Sequence, residues 1–111
     1  RRQRQMCIRD RVLSSQKALE RAGINLEDVD IIEMNEAFAA QSLACVEELG
    51  IDMSKLNIHG GAIAMGHPLG ASGARITGKA ASLLKETGKR YALSTMCVGG
   101  GQGCATVLER A

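Results

Sequence analysis

Apolar residues recur at helical spacing in three segments of the chain. The first predicted helix begins at Ser14 or Ser15, whose hydroxyl groups can cap it, and ends at Gly23. The second covers residues 35–50, and the third runs from about Leu69 to Thr87. The residues expected to face the core are, in chain order, Ala18, Leu19, Ala22, Ala39, Leu43, Val46, Ile76, Ala80, Leu83 and Leu84.

Short apolar runs between these helices predict the strands of a β-sheet. "VDIIEM" (29–34) predicts a buried strand that leads directly into the second helix, and "LNIHGGAIAMG" (56–66) an extended piece entering a glycine loop. "YALSTMCV" (91–98) and "CATVLER" (104–110), joined by "GGGQG", predict a terminal β-hairpin. We therefore expect an α/β fold in which helices cover a mixed β-sheet that ends in a hairpin.

The third predicted helix also carries small residues on the side opposite its apolar face. These residues are Gly70, Gly73, Ala74 and Gly78. A glycine inside a helix costs about 1 kcal/mol relative to alanine. Because such a row is costly, we expect another backbone to pack closely against it.

Composition fits one small globular domain. The chain has 111 residues, 45% of them hydrophobic, and no apolar run approaches the roughly 20 residues of a membrane span. The four cysteines lack the close spacing of a zinc site and follow no secretory signal. We expect reduced thiols, no bound metal, no membrane contact and a cytoplasmic location.

The positive charge is concentrated at one end of the chain. Residues 1–11, "RRQRQMCIRDR", contribute +4, whereas the remaining residues contribute −2 to the net charge of +2. Such a segment is typical of an arm that binds nucleic acid. It also resembles the translation of an adapter used in transposase-based DNA library preparation. On that resemblance we expect residues 1–11, with Cys7, to be non-native, and we expect no nucleic-acid partner.

Two glycine-rich loops lie beside the most reactive side chains. Nine of the 13 glycines fall in residues 60–73 and 99–103, of which the first contains His67 and the second follows Cys97. Pro68 disfavours a helical conformation at His67, so we expect the imidazole at the lip of the third helix, within reach of a cleft. A histidine near a thiol can move a proton at neutral pH, and glycine leaves backbone N–H groups free for a ligand.

Each of these residues also has a structural interpretation when it is taken alone. His67 is typical of a loop histidine, Cys97 of a small buried residue and Asn35 of a helix N-cap. His59 is predicted to be a hydrogen-bonded loop residue, and the charge of Glu36 suits the first turn of a helix. "GGGQG" is a poor dinucleotide-binding pattern, because it joins two strands rather than a strand and a helix.

Four stretches taken together resemble the C-terminal domain of a thiolase. They are "NEAFA" (35–39), "NIHGGAIAMGHPLGASGAR" (57–75), "CVGGGQG" (97–103) and a terminal "VLER" (107–110). The resemblance covers residues 12–111 nearly continuously. It implies a thiolase-like fold and an acyltransferase of lipid metabolism that reversibly condenses two acyl-CoA molecules, typically two acetyl-CoA into acetoacetyl-CoA. It implies coenzyme A thioesters as substrates and no metal or redox cofactor.

The resemblance also implies roles for individual residues. His67 would activate the nucleophilic cysteine of the enzyme, and Cys97 would exchange a proton with the α-carbon of an acyl group. Asn35 would hold a water that completes an oxyanion site with His67, and the N–H of Gly99 would contribute to a second such site. The residues implied at the pantetheine channel are Ala37 and Phe38.

The family's acyl-carrying cysteine belongs to an N-terminal half that this sequence does not include. We therefore expect the chain alone to be inactive, to lack the first strand of its domain, and to need that half as a partner within a homodimer or homotetramer. Two alternatives share the motifs quoted above. One is a thiolase of β-oxidation that acts on longer 3-ketoacyl-CoA substrates, and the other is a non-catalytic thiolase-like protein that binds acyl-CoA.

Overall fold

The computed structural model describes residues 2–111, with side chains from residue 8 onward. This part of the chain contains four α-helices and three β-strands. In chain order they are α1 (Arg2–Ala22), β1 (Ile31–Met34), α2 (Ala39–Leu49), α3 (Ala62–Met65), α4 (Ser72–Thr87), β2 (Tyr91–Cys97) and β3 (Gly103–Glu109). Short 3-10 turns lie at Leu26–Asp28 and Met53–Lys55. No helix within the described part is both long enough and apolar enough to cross a membrane.

The three strands form one mixed sheet in the order β1-β2-β3. β1 runs parallel to β2, with Met34 opposite Thr95, and β2 pairs antiparallel with β3, with Cys97 opposite Gly103. Because helices cover this sheet, the predicted α/β fold with a terminal hairpin is confirmed.

Apolar side chains form one cluster on each face of the sheet. Successive residues of a strand point to opposite faces, so Ile32 and Met34 join one cluster and Ile31 the other. α1 and α2 pack over the first cluster, which consists of Val12, Leu19, Val29, Ile32, Met34, Cys45, Ile51 and Leu93. α4 packs over the second, which consists of Ile31, Ala80, Leu83, Leu84 and Ala92.

α1 begins well before the predicted start of the first helix. Ser14 and Ser15 lie inside it, so the prediction that either caps a helix is wrong. Ser15 is buried and donates to the Thr95 hydroxyl at 3.1 Å, and Ser14 donates to the Arg11 carbonyl at 3.0 Å. The expected non-native segment 1–11 falls partly outside the described residues, which exclude position 1 and the Cys7 side chain. Residues 2–11 form the first part of α1.

α2 starts later than the apolar pattern predicts, and the face that it buries is partly different from the predicted one. It begins at Ala39, so Asn35 is not its N-cap. Of the predicted core face only Val46 packs against the first cluster: Ala39 is exposed and the Leu43 side chain is 60% exposed, whereas Ser42 and Cys45 are buried. An apolar residue can lie on the surface at little cost, and the docking of α2 on α1 decides which side is covered.

The segment predicted as extended between residues 56 and 66 is mostly not extended. Only Leu56 makes a bridge, to Ile32, and the chain then turns into the single helical turn α3. α4 agrees well with its prediction, since Ile76, Ala80 and Leu83 are buried.

The row of small residues on α4 lies open within the described part of the chain. A Cβ added at Gly70 or Gly78 would meet no described atom within 4 Å, and one at Gly73 would meet only the sulfur of Met96, at 3.2 Å. The closely packed backbone predicted from this row is therefore not supplied by the described residues.

A matched pair of leucines tests this packing. We expect Leu83→Ala to lower the free energy of unfolding of the chain by about 2–5 kcal/mol, because it leaves a cavity beneath α4. The same truncation at the exposed Leu43 is expected to cost less than about 0.5 kcal/mol. Urea titrations of both variants measure the difference, and equal losses would contradict the orientation of α2.

Candidate functional site

The candidate site lies where the parallel strands β1 and β2 end. The Asn35 N–H, just past β1, donates to the Thr95 carbonyl of β2 at 2.9 Å. Cys97 is the last residue of β2. The carboxyl ends of parallel strands are a common position for ligand sites, because loops and helix starts meet there.

His67 lies between the short helix α3 and the start of α4. Its Nδ1 is 2.6 Å from the Ser72 hydroxyl, and that hydroxyl donates to the Pro68 carbonyl at 3.1 Å. When Ser72 donates its proton to this carbonyl, its oxygen accepts from Nδ1–H of His67. Nε2 then carries the lone pair that a general base needs.

Asn35 joins His67 to the sheet. Its Nδ2 lies 3.3 Å from Nε2 and 3.4 Å from Nδ1 of the imidazole. The asparagine is fully buried, and its Oδ1 has no hydrogen-bond partner within the part of the chain described. A buried acceptor without a partner is costly and marks a place for a water or a ligand group.

Cys97 reaches the same edge of the sheet and contacts the helices on the other face. Its Sγ accepts hydrogen bonds from Gln41 of α2, at 3.2 Å, and from Arg11 of α1, at 3.1 Å. The cysteine is half-buried. His67 is held at the start of α4, so the imidazole and the thiol approach the sheet edge from different helical layers.

The second glycine loop begins directly after Cys97. Gly99, Gly100 and Gly101 have φ values of 63°, 58° and 74°, a region that L side chains avoid. The turn is closed by the Val98 N–H, which donates to the Gln102 carbonyl at 2.9 Å. Gly99 is exposed and follows Cys97 by two residues.

The structure places the sequence-predicted residues as follows. Asn35 and His67 are in direct contact, and Cys97 and Gly99 lie at the end of the neighbouring strand. Ala37 and Phe38 precede α2, and the Phe38 ring is 73% exposed. The N-cap interpretation of Asn35 is wrong, because Phe38 occupies that position.

His59 makes the loop hydrogen bond expected of it, with Lys79 donating to its Nδ1 at 2.8 Å. Within the described side chains, no group of three or more His, Cys, Asp or Glu residues is close enough to hold a metal ion.

Sequence reasoning missed two residues that hold the reactive side chains. Gln41 contacts the Cys97 sulfur, and Ser72 contacts the His67 ring. No sequence pattern pointed to Gln41, because it lies outside the face of the second helix that the apolar residues predict to be buried. Ser72 follows Pro68 by one helical turn, the spacing at which a hydroxyl can reach a preceding carbonyl.

Glu33, two residues before Asn35, is a buried carboxyl group that no sequence pattern singled out. Burial raises its pKa to about 7, while the charges of Arg75 and Lys79 act in the opposite direction. One carboxyl oxygen and two Arg75 nitrogens are buried without a hydrogen-bond partner among the described residues. Glu33 faces α4, since it alternates with Ile32 and Met34 of the other cluster.

Comparisons with known proteins agree with this architecture. The family model described as "Thiolase, C-terminal domain" matches residues 3–110. The chain is 57% identical over 102 residues to the 3-ketoacyl-CoA thiolase of Vibrio vulnificus (strain YJ016), an alignment covering 89% of this chain and 26% of that protein. It is 56% identical over 103 residues to the 3-ketoacyl-CoA thiolase of Shewanella loihica, covering 90% and 27%.

Solved structures give the same result. The crystal structure of human mitochondrial 3-ketoacyl-CoA thiolase matches with a TM-score of 0.92 and 47% identity, over 96% of this chain and 27% of that chain. A structure of the human enzyme in complex with CoA matches equally well. The chain thus spans about a quarter of the length of the relatives it matches.

The raised pKa of Glu33 predicts a pH-dependent stability. The folded chain binds this proton more tightly than the unfolded chain, so the stability present below about pH 4.5 is lost as the pH rises toward 7. Glu33→Gln is expected to remove that loss and to be more stable than the parent at pH 8 by up to about 3 kcal/mol. At pH 4 the two should unfold alike.

Urea unfolding between pH 4 and pH 8 measures this difference. Glu47→Gln, on the exposed side of α2, is the matched control and is expected to follow the parent at each pH. A Glu33→Gln curve parallel to that of the parent would contradict the assignment.

Proposed function

Because this chain belongs to the thiolase family and matches its C-terminal domain, we propose that it forms the C-terminal catalytic part of a 3-ketoacyl-CoA thiolase. The reaction is the thiolysis of a 3-ketoacyl-CoA by coenzyme A and its reverse, a Claisen condensation. The observation that carries the proposal is the meeting of Asn35 and His67 at the sheet edge where Cys97 ends β2.

The names of the relatives favour 3-ketoacyl-CoA substrates over the acetyl-CoA pair expected from the sequence. Acetoacetyl-CoA, the shortest 3-ketoacyl-CoA, is common to both possibilities. The substrate proposed is therefore a 3-ketoacyl-CoA of unspecified chain length, with acetoacetyl-CoA as its simplest member.

In the proposed cleavage, a cysteine thiolate from the rest of the enzyme attacks the 3-keto carbon. The bond between carbons 2 and 3 breaks, the acyl group stays on that cysteine as a thioester, and carbon 2 takes a proton to give acetyl-CoA. Cys97 supplies this proton and regains one from the thiol of free coenzyme A. The coenzyme A sulfur takes the acyl group, and the departing cysteine sulfur regains its proton from His67. His67 first accepts the proton of the attacking thiol, for which its unprotonated Nε2 is suited.

Charge develops on a carbonyl oxygen in each of these steps. We propose that His67, with a water held by the unpaired Oδ1 of Asn35, stabilises one oxyanion, and that the Gly99 N–H contributes to a second. A donor positioned for an oxyanion contributes roughly 3–4 kcal/mol to catalysis. Gly99 is exposed, follows Cys97 by two residues and has a left-handed backbone conformation.

The proposed partners follow from the exposed apolar side chains around the site. Phe38, Ile63, Met65 and Leu69 are each more than half exposed. We propose that the N-terminal part of the enzyme covers this rim, and that Ala37 and Phe38 border the channel for the pantetheine arm of coenzyme A. The complete enzyme is proposed to be a cytoplasmic homodimer or homotetramer.

We propose further that residues 1–11 take no part in this function. Arg11 is fully buried, yet its Nε and Nη1 have no hydrogen-bond partner among the described residues. Such a guanidinium group is costly to bury. The guanidinium group does donate to the Cys97 sulfur, but Arg11 belongs to the segment that resembles an adapter translation.

Two substitutions test the catalytic roles. The protein to use is a chimera in which this chain replaces the matching part of the Vibrio vulnificus thiolase. We expect His67→Ala and Cys97→Ala each to lower kcat for acetoacetyl-CoA thiolysis at least about a hundredfold, because each removes a proton-transfer group. Thiolysis is followed by the loss of absorbance of the 3-ketoacyl-CoA enolate.

The controls separate the remaining possibilities. The 111-residue chain alone should show no thiolysis, and parallel assays with longer 3-ketoacyl-CoA substrates identify the preferred chain length. Near-normal turnover in either variant would refute the role of that residue. A chimera that binds acyl-CoA without cleaving it would favour the non-catalytic alternative.

Arg11→Met tests the proposal about the first segment. Methionine keeps much of the length of the side chain and removes the unpaired nitrogens, so we expect the chain to gain about 1–4 kcal/mol in free energy of unfolding. Urea titration measures the gain, and Arg9→Met, at an exposed position of α1, is the control. A loss of stability in Arg11→Met would overturn the proposal.

A further inference from the structure

Asn57 holds the outer edge of β1 at the point where the strand ends. Its side-chain oxygen accepts from the Met34 N–H at 2.8 Å, and its Nδ2 donates to the Met34 carbonyl at 2.9 Å. The Asn57 N–H also donates to the Ile32 carbonyl at 2.8 Å. One asparagine thus satisfies both polar groups of Met34, in place of a neighbouring strand.

The same amide group extends to Glu36. Asn57 Nδ2 donates to Oε1 of Glu36 at 3.0 Å, and the Ile63 N–H at the start of α3 donates to Oε2 at 2.9 Å. Each carboxylate oxygen of Glu36 therefore accepts one N–H hydrogen bond. One donor is at the beginning of the segment 57–63 and the other is at its end. Charge-assisted bonds of this kind are stronger than neutral ones.

Gly61 leaves the space that this carboxylate occupies. A Cβ at position 61 would lie 2.6 Å from Oε1 of Glu36, closer than real contacts allow. Its backbone is extended, with φ of −140°, so alanine would meet no conformational barrier. An alanine there would displace the carboxylate without removing it.

These contacts connect Asn35, at the end of β1, with the loop that carries His67. Asn35 stands between Met34 and Glu36 in the sequence, and its amide contacts the His67 ring. The Glu36 carboxylate holds the start of α3, and α3 leads through Gly66 to His67. The distance between Asn35 and His67 is therefore set from both sides, through side chains that bond to backbone groups and to each other.

We propose that Glu36 and Asn57 are positioning residues that hold the His67 loop in register with Asn35 for the thiolase reaction. The inference rests on the proposed function for its effect on catalysis. We call the hydrogen bonds of Glu36 with Asn57 and with the Ile63 N–H the tether. The tether can be measured without an activity assay.

Three variants of the chimera defined above test the proposal. Glu36→Gln keeps the size of the side chain but can accept only through one oxygen, so one of its two N–H partners is lost. Gly61→Ala displaces the carboxylate while leaving it charged. Asn57→Gly removes the amide, and glycine tolerates the φ of 45° at that position. Glu47→Gln is the matched control on an exposed face of α2.

We expect each of the three variants to lower kcat for acetoacetyl-CoA thiolysis by about tenfold to a hundredfold, since a small displacement of a catalytic group has effects of this size. KM should stay within about twofold of the parent value, because the substrate contacts are not altered. A purely structural role would lower the melting temperature and the amount of active enzyme, and leave kcat per active site unchanged.

Hydrogen–deuterium exchange of the same variants measures the tether directly. We expect amides in residues 57–67 to exchange at least about tenfold faster than in the parent, while those of β2 and β3 do not change. Because Gly61→Ala acts through Glu36, its effect on kcat should not multiply with that of Glu36→Gln.

Unchanged exchange in residues 57–67 would overturn the proposal, as would a fall in kcat without faster exchange. If the parent chimera does not cleave acetoacetyl-CoA, the proposed function fails, and the exchange rates still decide whether Glu36 and Asn57 hold the loop. If His67→Ala abolishes cleavage but the three variants do not, the proposed function stands and the positioning role fails.

Discussion

The pairing of β1 with β2 is the constraint on which the rest of the structure depends. In the observed register Met34 lies opposite Thr95, so both strands end together and the Asn35 N–H reaches β2. A shift by one residue would exchange the faces of the sheet, bringing Glu33 into the cluster beneath α1 and α2. It would also move Asn35 away from His67. The same register therefore buries the apolar side chains in the core and brings the ends of β1 and β2 together at the site.

The site combines groups from both helical layers of the fold. Cys97 is held from one side by Gln41 of α2, and His67 is held from the other by Ser72 of α4. Asn35, at the end of β1, contacts His67 and donates its N–H to Thr95 of β2, the strand that ends at Cys97. Short glycine-rich segments suit this arrangement, because each must turn sharply at the sheet edge and leave its amides uncovered. Relative motion of the two layers would change the separation of the reactive groups.

Several buried polar groups near this edge lack partners among the described residues. Oδ1 of Asn35 and the side-chain oxygen of Gln41 are both of this kind, as are one oxygen of Glu33 and two nitrogens of Arg75 on the α4 side of the sheet. Native structures contain few such groups, and those that persist cluster where function requires them. This end of the sheet is thus less stable than it would be if apolar side chains filled the same space. The raised pKa of Glu33 is a measure of the same cost.

The sequence by itself determined the elements whose causes are local. The period of Ile76, Ala80 and Leu83 defined α4, the glycine turn defined the hairpin, and the motifs around His67 and Cys97 identified the family. Only the tertiary structure decided which face of α2 is buried, where α1 begins, and which side chains hold the reactive groups. Gln41 lies 56 residues from Cys97 and Asn57 lies 21 from Glu36, so neither contact leaves a periodic pattern in the chain. Docking energy between elements decides such contacts, and neighbouring residues in the sequence do not encode it.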